Sequence, residues 1–304
     1  MSTVLVTGGR GYIGRYVIEE LVRLGHVAID YSRDAAPAVR DDHRVPVLGE
    51  LADIPRLLAT LERHGVERIV HTAGQSHPDV SIEMPLATVE ANVTGTCSVL
   101  EAARLAGVRR VVLFSSECAY GHTPPGTVPE STPLQPRTPY GVTKAATEML
   151  GRSYNECFDL DTIALRVAQV YGPGQIMPET VGDTIRTLLR SEPVRQDRGR
   201  DQRLQLVHVT DVARAVIAAC FAGDHRLHAY NVTGGVLPTL GEVLERLAAL
   251  IPGAVFDVGP GEMGGDRQGL FEIEAARRDL GYEPAVPLDD GLRDYVEWLR
   301  RHDY

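Results

Sequence analysis

The stretch that most constrains the fold lies at the start of the chain, TGGRGYIG at positions 7–14, with Gly8, Gly11 and Gly14 three residues apart. It follows the apolar run Val4–Leu5–Val6 and leads into an amphipathic segment carrying Ile13, Val17, Ile18, Leu21 and Leu24. A short β-branched run, a glycine turn and a 3.6-residue apolar period read as buried strand, turn and helix, with a second strand from Val27. Each glycine has a task. Gly8 permits the tight turn, Gly11 lets the backbone approach an anion without a Cβ in the way, and Gly14 lets the helix pack closely on the sheet. The helix N-terminus offers unpaired N–H groups to a phosphate. The unit is therefore expected to hold a dinucleotide through Gly8, Arg10, Gly11, Tyr12, Ile13 and Gly14.

The βαβ rhythm continues. Strands are expected at Val45–Leu48, up to His71, at Arg110–Phe114 and at Thr162–Val167, with helices at Asp53–His64, Ile82–Ala106 (kinked near Pro85) and from Pro139 to Cys157. Alternation of this kind predicts an α/β chain, a Rossmann-type doubly wound parallel sheet. The polar segment Arg33–Arg44 and the Pro/Thr-rich stretch Gly121–Pro139 read as loops. After the turn Tyr171–Gly174 the alternation loosens: helix 181–189, polar loop Glu192–Arg203, strand Leu206–His208, helix Asp211–Phe221, strand Ala229–Val232, helix Leu240–Leu250, glycine-rich loop Gly259–Gly269 and a final helix Leu288–Arg301. Residues 1–175 are expected to form the dinucleotide-binding domain, with 206–232 returning to it. Residues 176–304 would mostly form a smaller C-terminal substrate-binding lobe, with the substrate in the cleft between.

Composition narrows the partners. A formal charge of -10 over 304 residues argues against non-specific binding to nucleic acid or anionic membranes. No run approaches the roughly 18 apolar residues of a membrane span. Cys97, Cys118, Cys157 and Cys220 are far apart and lack metal-ligand spacing, so no metal site is expected and the thiols read as reduced. The chain enters a strand at once, without a basic leader, and a cytoplasmic location is expected.

Tyr140 and Lys144 lie four apart on one helix face. A neighbouring ammonium favours the phenolate and is expected to lower the tyrosine pKa towards working pH, so that Tyr140 can exchange a proton with a substrate hydroxyl. Ser115, Ser116 and Glu117 fall just beyond the strand 110–114, at the edge where open α/β sheets bind ligands, and Ser116 could bond the same substrate oxygen. With a dinucleotide upstream, the group suits hydride transfer.

TGGRGYIG, HTAG at 71–74, ANVTGT with Asn92, FSSECAYG, PYGVTK, LRVAQVYGPG and LVHVTDVARA occur in that order, and with them the sequence resembles the extended short-chain dehydrogenase/reductase family of nucleotide-sugar epimerases, dehydratases and reductases. The resemblance covers nearly the whole chain. It implies Ser116, Tyr140 and Lys144 as catalytic residues, with Lys144 also on the nicotinamide ribose. It further implies Glu50 and Leu51 at the adenine, Ala73, Gly74 and Ser115 along the cofactor, Asn92 supporting the site, and Val167 and Gln169 at the nicotinamide end. It also suggests a homodimer through the helices beginning near Ile82 and Tyr140.

NAD-dependent relatives place an acid at the end of the second strand for the ribose 2′-OH. The matching residue here is Ser32, followed by Arg33, a pair suited to a 2′-phosphate. Asp30, two residues early, is expected to point elsewhere. NADP is therefore expected ahead of NAD. On the substrate side, Gln75, Ser116, Glu117, Tyr140 and Gln169 are candidates. Relatives that bind nucleotide sugars carry an arginine where this chain has Leu204, and their arginine-proline-glycine-aspartate segment is absent. Arg203 and Arg267 are the candidate substitutes, while Arg195, Arg198 and Arg200 read as easily as a solvated loop. Dehydratases of the family carry an Asp–Glu pair where this chain has Glu117 and Cys118, which weakens elimination chemistry.

The expectation is thus an NAD(P)-dependent oxidoreductase moving hydride to or from a carbinol or keto carbon of a sugar, sugar acid or nucleotide sugar, with the missing arginine favouring a substrate without a nucleotide. The alternative is a UDP-hexose-type 4-epimerase that retains NAD. A non-catalytic cofactor-binding protein would usually have lost the YxxxK pair, which here is intact.

Overall fold

The computed structural model describes residues 1–34 and 42–302; the middle of the polar segment expected at Arg33–Arg44 lies outside them. Seven strands, β1 (Thr3–Thr7), β2 (Val27–Ser32), β3 (Arg44–Leu48), β4 (Arg68–His71), β5 (Arg110–Ser116), β6 (Asp161–Val167) and β7 (Ala229–Val232), form one sheet. Their order is β7-β6-β5-β4-β1-β2-β3, and every pair is parallel. This is the doubly wound arrangement, with its order reversing between β1 and β4, where a crevice opens at the C-terminal strand ends.

Alternation along β1 builds both faces of the core. Val4 and Val6 join Val17, Ile18, Leu21, Val212 and Val216 on one side. Leu5 joins Ile29, Leu57, Leu61, Val99 and Leu100 on the other. The first helix, α1 (Tyr12–Arg23), packs there against the helix Val209–Phe221. A separate core holds the C-terminal lobe, where Val181, Ile185, Leu204, Leu206, Val243, Leu244, Leu292 and Tyr295 are buried together.

Three details differ from the sequence expectation. Ser115 and Ser116 are the last residues of β5, not residues beyond it, and Glu117–Ala119 form a 3-10 turn. The segment around Pro85 is two pieces, Pro78–Glu83 and Pro85–Val89, the second running through a π-turn at Glu90–Thr94 into Gly95–Ala106. Proline without an N–H is tolerated at a helix start, so the break falls at Met84. Short strands at Thr127–Val128, Val194–Gln196, Phe256–Val258 and Leu270–Phe271 and a helix at Glu274–Leu280 were not foreseen; two or three strand residues carry too little periodicity to read. Leu206–His208 pairs with Gln169–Tyr171 outside the main sheet, while β7 extends the main sheet beside β6. Among the described residues no helix is long and apolar enough to cross a membrane.

Candidate active site

One cleft of about 1660 Å³ runs along the C-terminal edge of the sheet. Its first end is the glycine turn. Gly8 has φ +66°, a left-handed conformation that suits glycine. A Cβ on Gly14 would run into the Gly8 carbonyl oxygen, so the close helix–turn approach requires glycine there. α1 is capped by Gly11 with no side-chain hydrogen bond and no acidic residue in its first turn, leaving its N–H groups and dipole for an anion. These features fit the diphosphate of a dinucleotide.

Of the residues expected from sequence, Gly8, Arg10, Gly11, Tyr12, Ile13, Gly14, Ser32, Arg33, Glu50, Leu51, Ala73, Gly74, Gln75, Ser115, Ser116, Glu117, Tyr140, Lys144, Val167 and Gln169 all line this cleft. Three other named residues do not, one of them, Asn92, expected only to support the site. Asn92 is buried behind the wall, where its Oδ1 accepts from the Gln75 N–H at 2.7 Å and its Nδ2 donates to the Gln75 carbonyl and Thr143 Oγ1; it fixes the Gly74–Gln75 turn against the helix of Lys144. Arg203 faces away and reaches the Leu237 carbonyl at 3.5 Å, because Leu204 takes the inward side into the lobe's core. Arg267 lines a separate cavity with His122, Arg137 and Arg198 and pairs with Glu262 at 2.6 Å.

The catalytic candidates meet at the cleft's middle. Thr138 caps the helix Pro139–Phe158 by accepting from the Gly141 N–H at 3.1 Å, which presents Tyr140 and Lys144 inward from the first two turns. The Lys144 ammonium stands 5.5 Å from the Tyr140 ring centroid. The Ser116 side chain lies where it opposes the rise of the Tyr140 phenol, and its Oγ accepts from the Cys118 N–H at 3.2 Å. Burial pushes the Tyr140 phenol up, with the Cys118 thiol adding to it. The expected lowering by Lys144 does not prevail over the burial of the phenol itself; burial also pushes the Lys144 ammonium down to about 8. A neutral phenol beside a strand-end hydroxyl can donate a proton to a developing alkoxide.

Behind this group a buried network fixes the strand ends. The Glu148 carboxylate takes the Ser115 hydroxyl and a bidentate pair from Arg166, whose Nη2 lies 2.8 Å away. Arg166 also donates to the Tyr120 hydroxyl at 2.7 Å, and Tyr120 donates to Asn231 at 2.8 Å. Across the cleft, α1 grips the turn after Tyr171: the Tyr12 hydroxyl donates to the Gly172 carbonyl at 3.0 Å, and Arg15 and Tyr16 donate to that of Pro173 at 3.1 and 3.0 Å. That turn leads into Gln175–Thr180, which lines the cleft.

Gln175–Thr180, Gln196 and Met263 line the cleft without having been singled out from sequence, and Arg195, open between an anion-binding cluster and a solvated loop, lines it too. Arg195 sits on the short strand Val194–Gln196, paired with Phe256–Val258. Of the basic side chains lining the cleft, Arg10, Arg33 and Lys144 belong to its dinucleotide half and Arg195 to its other half. Only the pairing of two strands far apart in the chain brings Arg195 there.

Known proteins resemble this chain over nearly its whole length. A model of the NAD dependent epimerase/dehydratase family matches residues 4–233. A dTDP-glucose 4,6-dehydratase of Streptomyces griseus is 32% identical over 98% of this chain and 94% of its own. A UDP-glucose 4-epimerase of Mycolicibacterium smegmatis is 32% identical over 97% of this chain and 98% of its own. The solved structure of MoeE5 in complex with UDP-glucose and NAD is 30% identical, covers 99% of both chains and superimposes with a TM-score of 0.87.

The expectation of NADP is overturned by these relatives. MoeE5 holds NAD, and so do a UDP-glucose 4-epimerase of Thermus thermophilus and DesIV of Streptomyces venezuelae. The local geometry gives the reason that Ser32–Arg33 misled. Asp30 lies on the same face as Ser32, not elsewhere on the strand: it accepts the Ser32 hydroxyl proton at 2.6 Å and pairs with Arg10 at 3.4 Å. The hydroxyl that was to meet a 2′-phosphate is thus turned to a carboxylate, whose charge would repel that phosphate.

Proposed function

Because the chain belongs to the NAD dependent epimerase/dehydratase family, we propose that it is a nucleotide-sugar 4-epimerase that keeps NAD bound while a UDP- or dTDP-hexose is turned over. The observation that carries this reading is the meeting of Ser116, Tyr140 and Lys144 at the middle of one cleft, with Glu117 as its next residue and a thiol, Cys118, where a dehydratase would carry its second carboxylate. Burial and the Glu117 carboxyl push the Cys118 thiol up to about 12, so it offers no base for elimination at neutral pH. The net oxidoreductase expected from Ser32–Arg33 gives way to this reading, because the reason for preferring an exchangeable NADP has gone.

The glycine turn, the α1 N-terminus, Arg10 and Ser32 would hold the dinucleotide, with Glu50 and Leu51 at the adenine and Lys144 at the nicotinamide ribose. NAD bound there supplies the hydride acceptor and, on return, the hydride donor. Tyr140 would take the proton of the sugar hydroxyl as the phenolate, which the Lys144 cation 5.5 Å from its ring favours, and as the phenol return it to the keto oxygen, while Ser116 hydrogen-bonds the same oxygen. Gln75, Glu117 and Gln169 contact the sugar. Arg195 takes the diphosphate in place of Arg203 and Arg267, since a guanidinium suits phosphate and, among the described residues, no other arginine or lysine lines that half of the cleft.

A homodimer is part of the proposal. Ile82, Met84, Leu86, Val142 and Met149 are large apolar side chains left exposed on the Pro78–Val89 segment and the catalytic helix, a patch suited to a second copy of the chain. A reducing, cytoplasmic setting suits the four free cysteines.

The test is to incubate the purified protein with UDP-glucose, UDP-galactose and dTDP-glucose and to follow product configuration by proton NMR and the nicotinamide by absorbance. Interconversion of C4 epimers without net change in nicotinamide redox state is expected. Stoichiometric reduction of added cofactor would identify a dehydrogenase, and a 4-keto-6-deoxy product a dehydratase.

A further inference from the structure

Glu117 is an acid in a place that offers an anion little. It follows Ser116 in the 3-10 turn and lines the cleft. Its Oε2 is shut off from solvent and has no hydrogen-bond partner among the described residues. One backbone donor beside it, the Gln169 N–H, favours the anion weakly, being directed to the Gln205 carbonyl at 2.8 Å. Gln268 reaches only the main-chain oxygen of Glu117, at 2.9 Å.

The charged and titratable groups around it do not help. Asp266, from the glycine-rich loop, is a like charge; Cys118 and Tyr140 are both held protonated by burial. Lys144 is an ammonium that burial pushes down to about 8 and whose proton is directed to the Phe114 carbonyl. A carboxylate buried without donors is costly, and the usual outcome is that it keeps its proton. Burial and Asp266 accordingly push the Glu117 carboxyl up to about 8. A protonated carboxyl has what a carboxylate lacks, an O–H to donate.

We propose that Glu117 binds the sugar as an uncharged carboxylic acid, donating its O–H to a neutral oxygen of the substrate beside the reacting carbon. This rests on the nucleotide-sugar reading above and assigns Glu117 a hydrogen bond, not a proton transfer. An O–H left without an acceptor is penalised, so the site favours sugars that carry that oxygen and rejects the corresponding deoxy sugars.

Infrared difference spectroscopy of the NAD-loaded enzyme tests it, with Glu117→Gln and Glu117→Leu as variants. At pH 7 the wild type is expected to show a protonated-carboxyl stretch that the Gln variant lacks, and UDP-glucose, but not UDP, should move it to lower frequency. The Gln variant, whose amide also donates, should keep kcat/KM within about fivefold, while the Leu variant should lose at least about tenfold, chiefly in KM. Thermal denaturation of both variants separates a folding defect from a binding one. No such band at pH 7, a band unmoved by a sugar nucleotide that the wild type turns over, or a Gln variant as impaired as the Leu variant would overturn the proposal. Failure of the substrate reading looks different: the wild type turns over neither UDP- nor dTDP-hexose, and the same band is then read against free hexoses, where no shift overturns the proposal as well.

Discussion

Lys144 Nζ donates to the carbonyl oxygen of Phe114 at 2.9 Å, tying the helix that carries Tyr140 to the strand that ends in Ser116. The proton-handling group is thus held by two elements at once. Tyr140→Phe keeps the ring and the packing but removes the proton, and should lower kcat by about 10²–10⁴ while NAD stays bound. Turnover assays and the nicotinamide content of the purified variant check this, and near-normal turnover would remove Tyr140 from its role.

Arg195→Ala should raise KM for UDP-glucose by about 10- to 100-fold, the equivalent of a charge-assisted hydrogen bond worth about 1.5–3 kcal/mol, with kcat little changed. Arg203→Ala and Arg267→Ala should leave both constants alone, because those side chains are engaged with Leu237 and Glu262 away from the cleft. Calorimetric titration with UDP gives the same comparison without turnover.

Glu148→Ala leaves the Arg166 guanidinium, only 8% exposed, without its counter-charge. Breaking a buried pair from one side costs about 3–5 kcal/mol. The urea midpoint should fall accordingly; a midpoint within experimental error of the wild type would mean that Tyr120 and the Glu130 carbonyl suffice to hold Arg166.

Glu179 caps the helix Thr180–Leu189 by accepting from the Val181 and Gly182 N–H groups, yet burial pushes its carboxyl up from 4.5 to about 7. A carboxyl with a raised folded pKa binds its proton more tightly in the native state than in the unfolded chain. Its contribution is therefore fully present below pH 4.5 and is lost as pH rises to about 7, with a slope of up to about 1.4 kcal/mol per unit. Glu179→Gln should flatten that part of the stability profile, measured by urea unfolding at intervals across that range. An unchanged slope would refute the assignment.

Leu86→Glu and Met149→Glu place charges on the exposed apolar patch and should shift the protein towards monomer in sedimentation equilibrium. A wild type that is already monomeric at micromolar concentration would dispose of the dimer.

The first βαβ unit was legible because sterics leave little choice: Gly14 sits where a Cβ would strike the Gly8 carbonyl, and such positions announce themselves by residue type. Tyr140 and Lys144 were legible for a similar reason, since helix geometry alone puts residues four apart on one face. What escaped depends on distant partners. Whether Leu204 or Arg203 faces inward is settled by strand register in the second lobe, and the partnership of Asp30 with Ser32 by side-chain directions that spacing suggests but does not decide. The Tyr140 phenol was expected to fall and is instead raised, because burial is a property of the assembled cleft and cannot be read from a neighbouring lysine. Arg195 looked like one arginine of a polar loop until its pairing with Phe256–Val258 placed it on the wall.

The grip of Tyr12 on the Gly172 carbonyl spans 160 residues, and that span has a consequence for biosynthesis. Closing so long a loop is slow compared with forming the local turn. A nascent chain that has left the ribosome through β5 contains the glycine turn but not the turn it grips, nor the Val194–Gln196 strand that needs Phe256–Val258 as its partner. The two walls of the cleft are therefore translated far apart, and the far wall is completed only after most of the protein has been made.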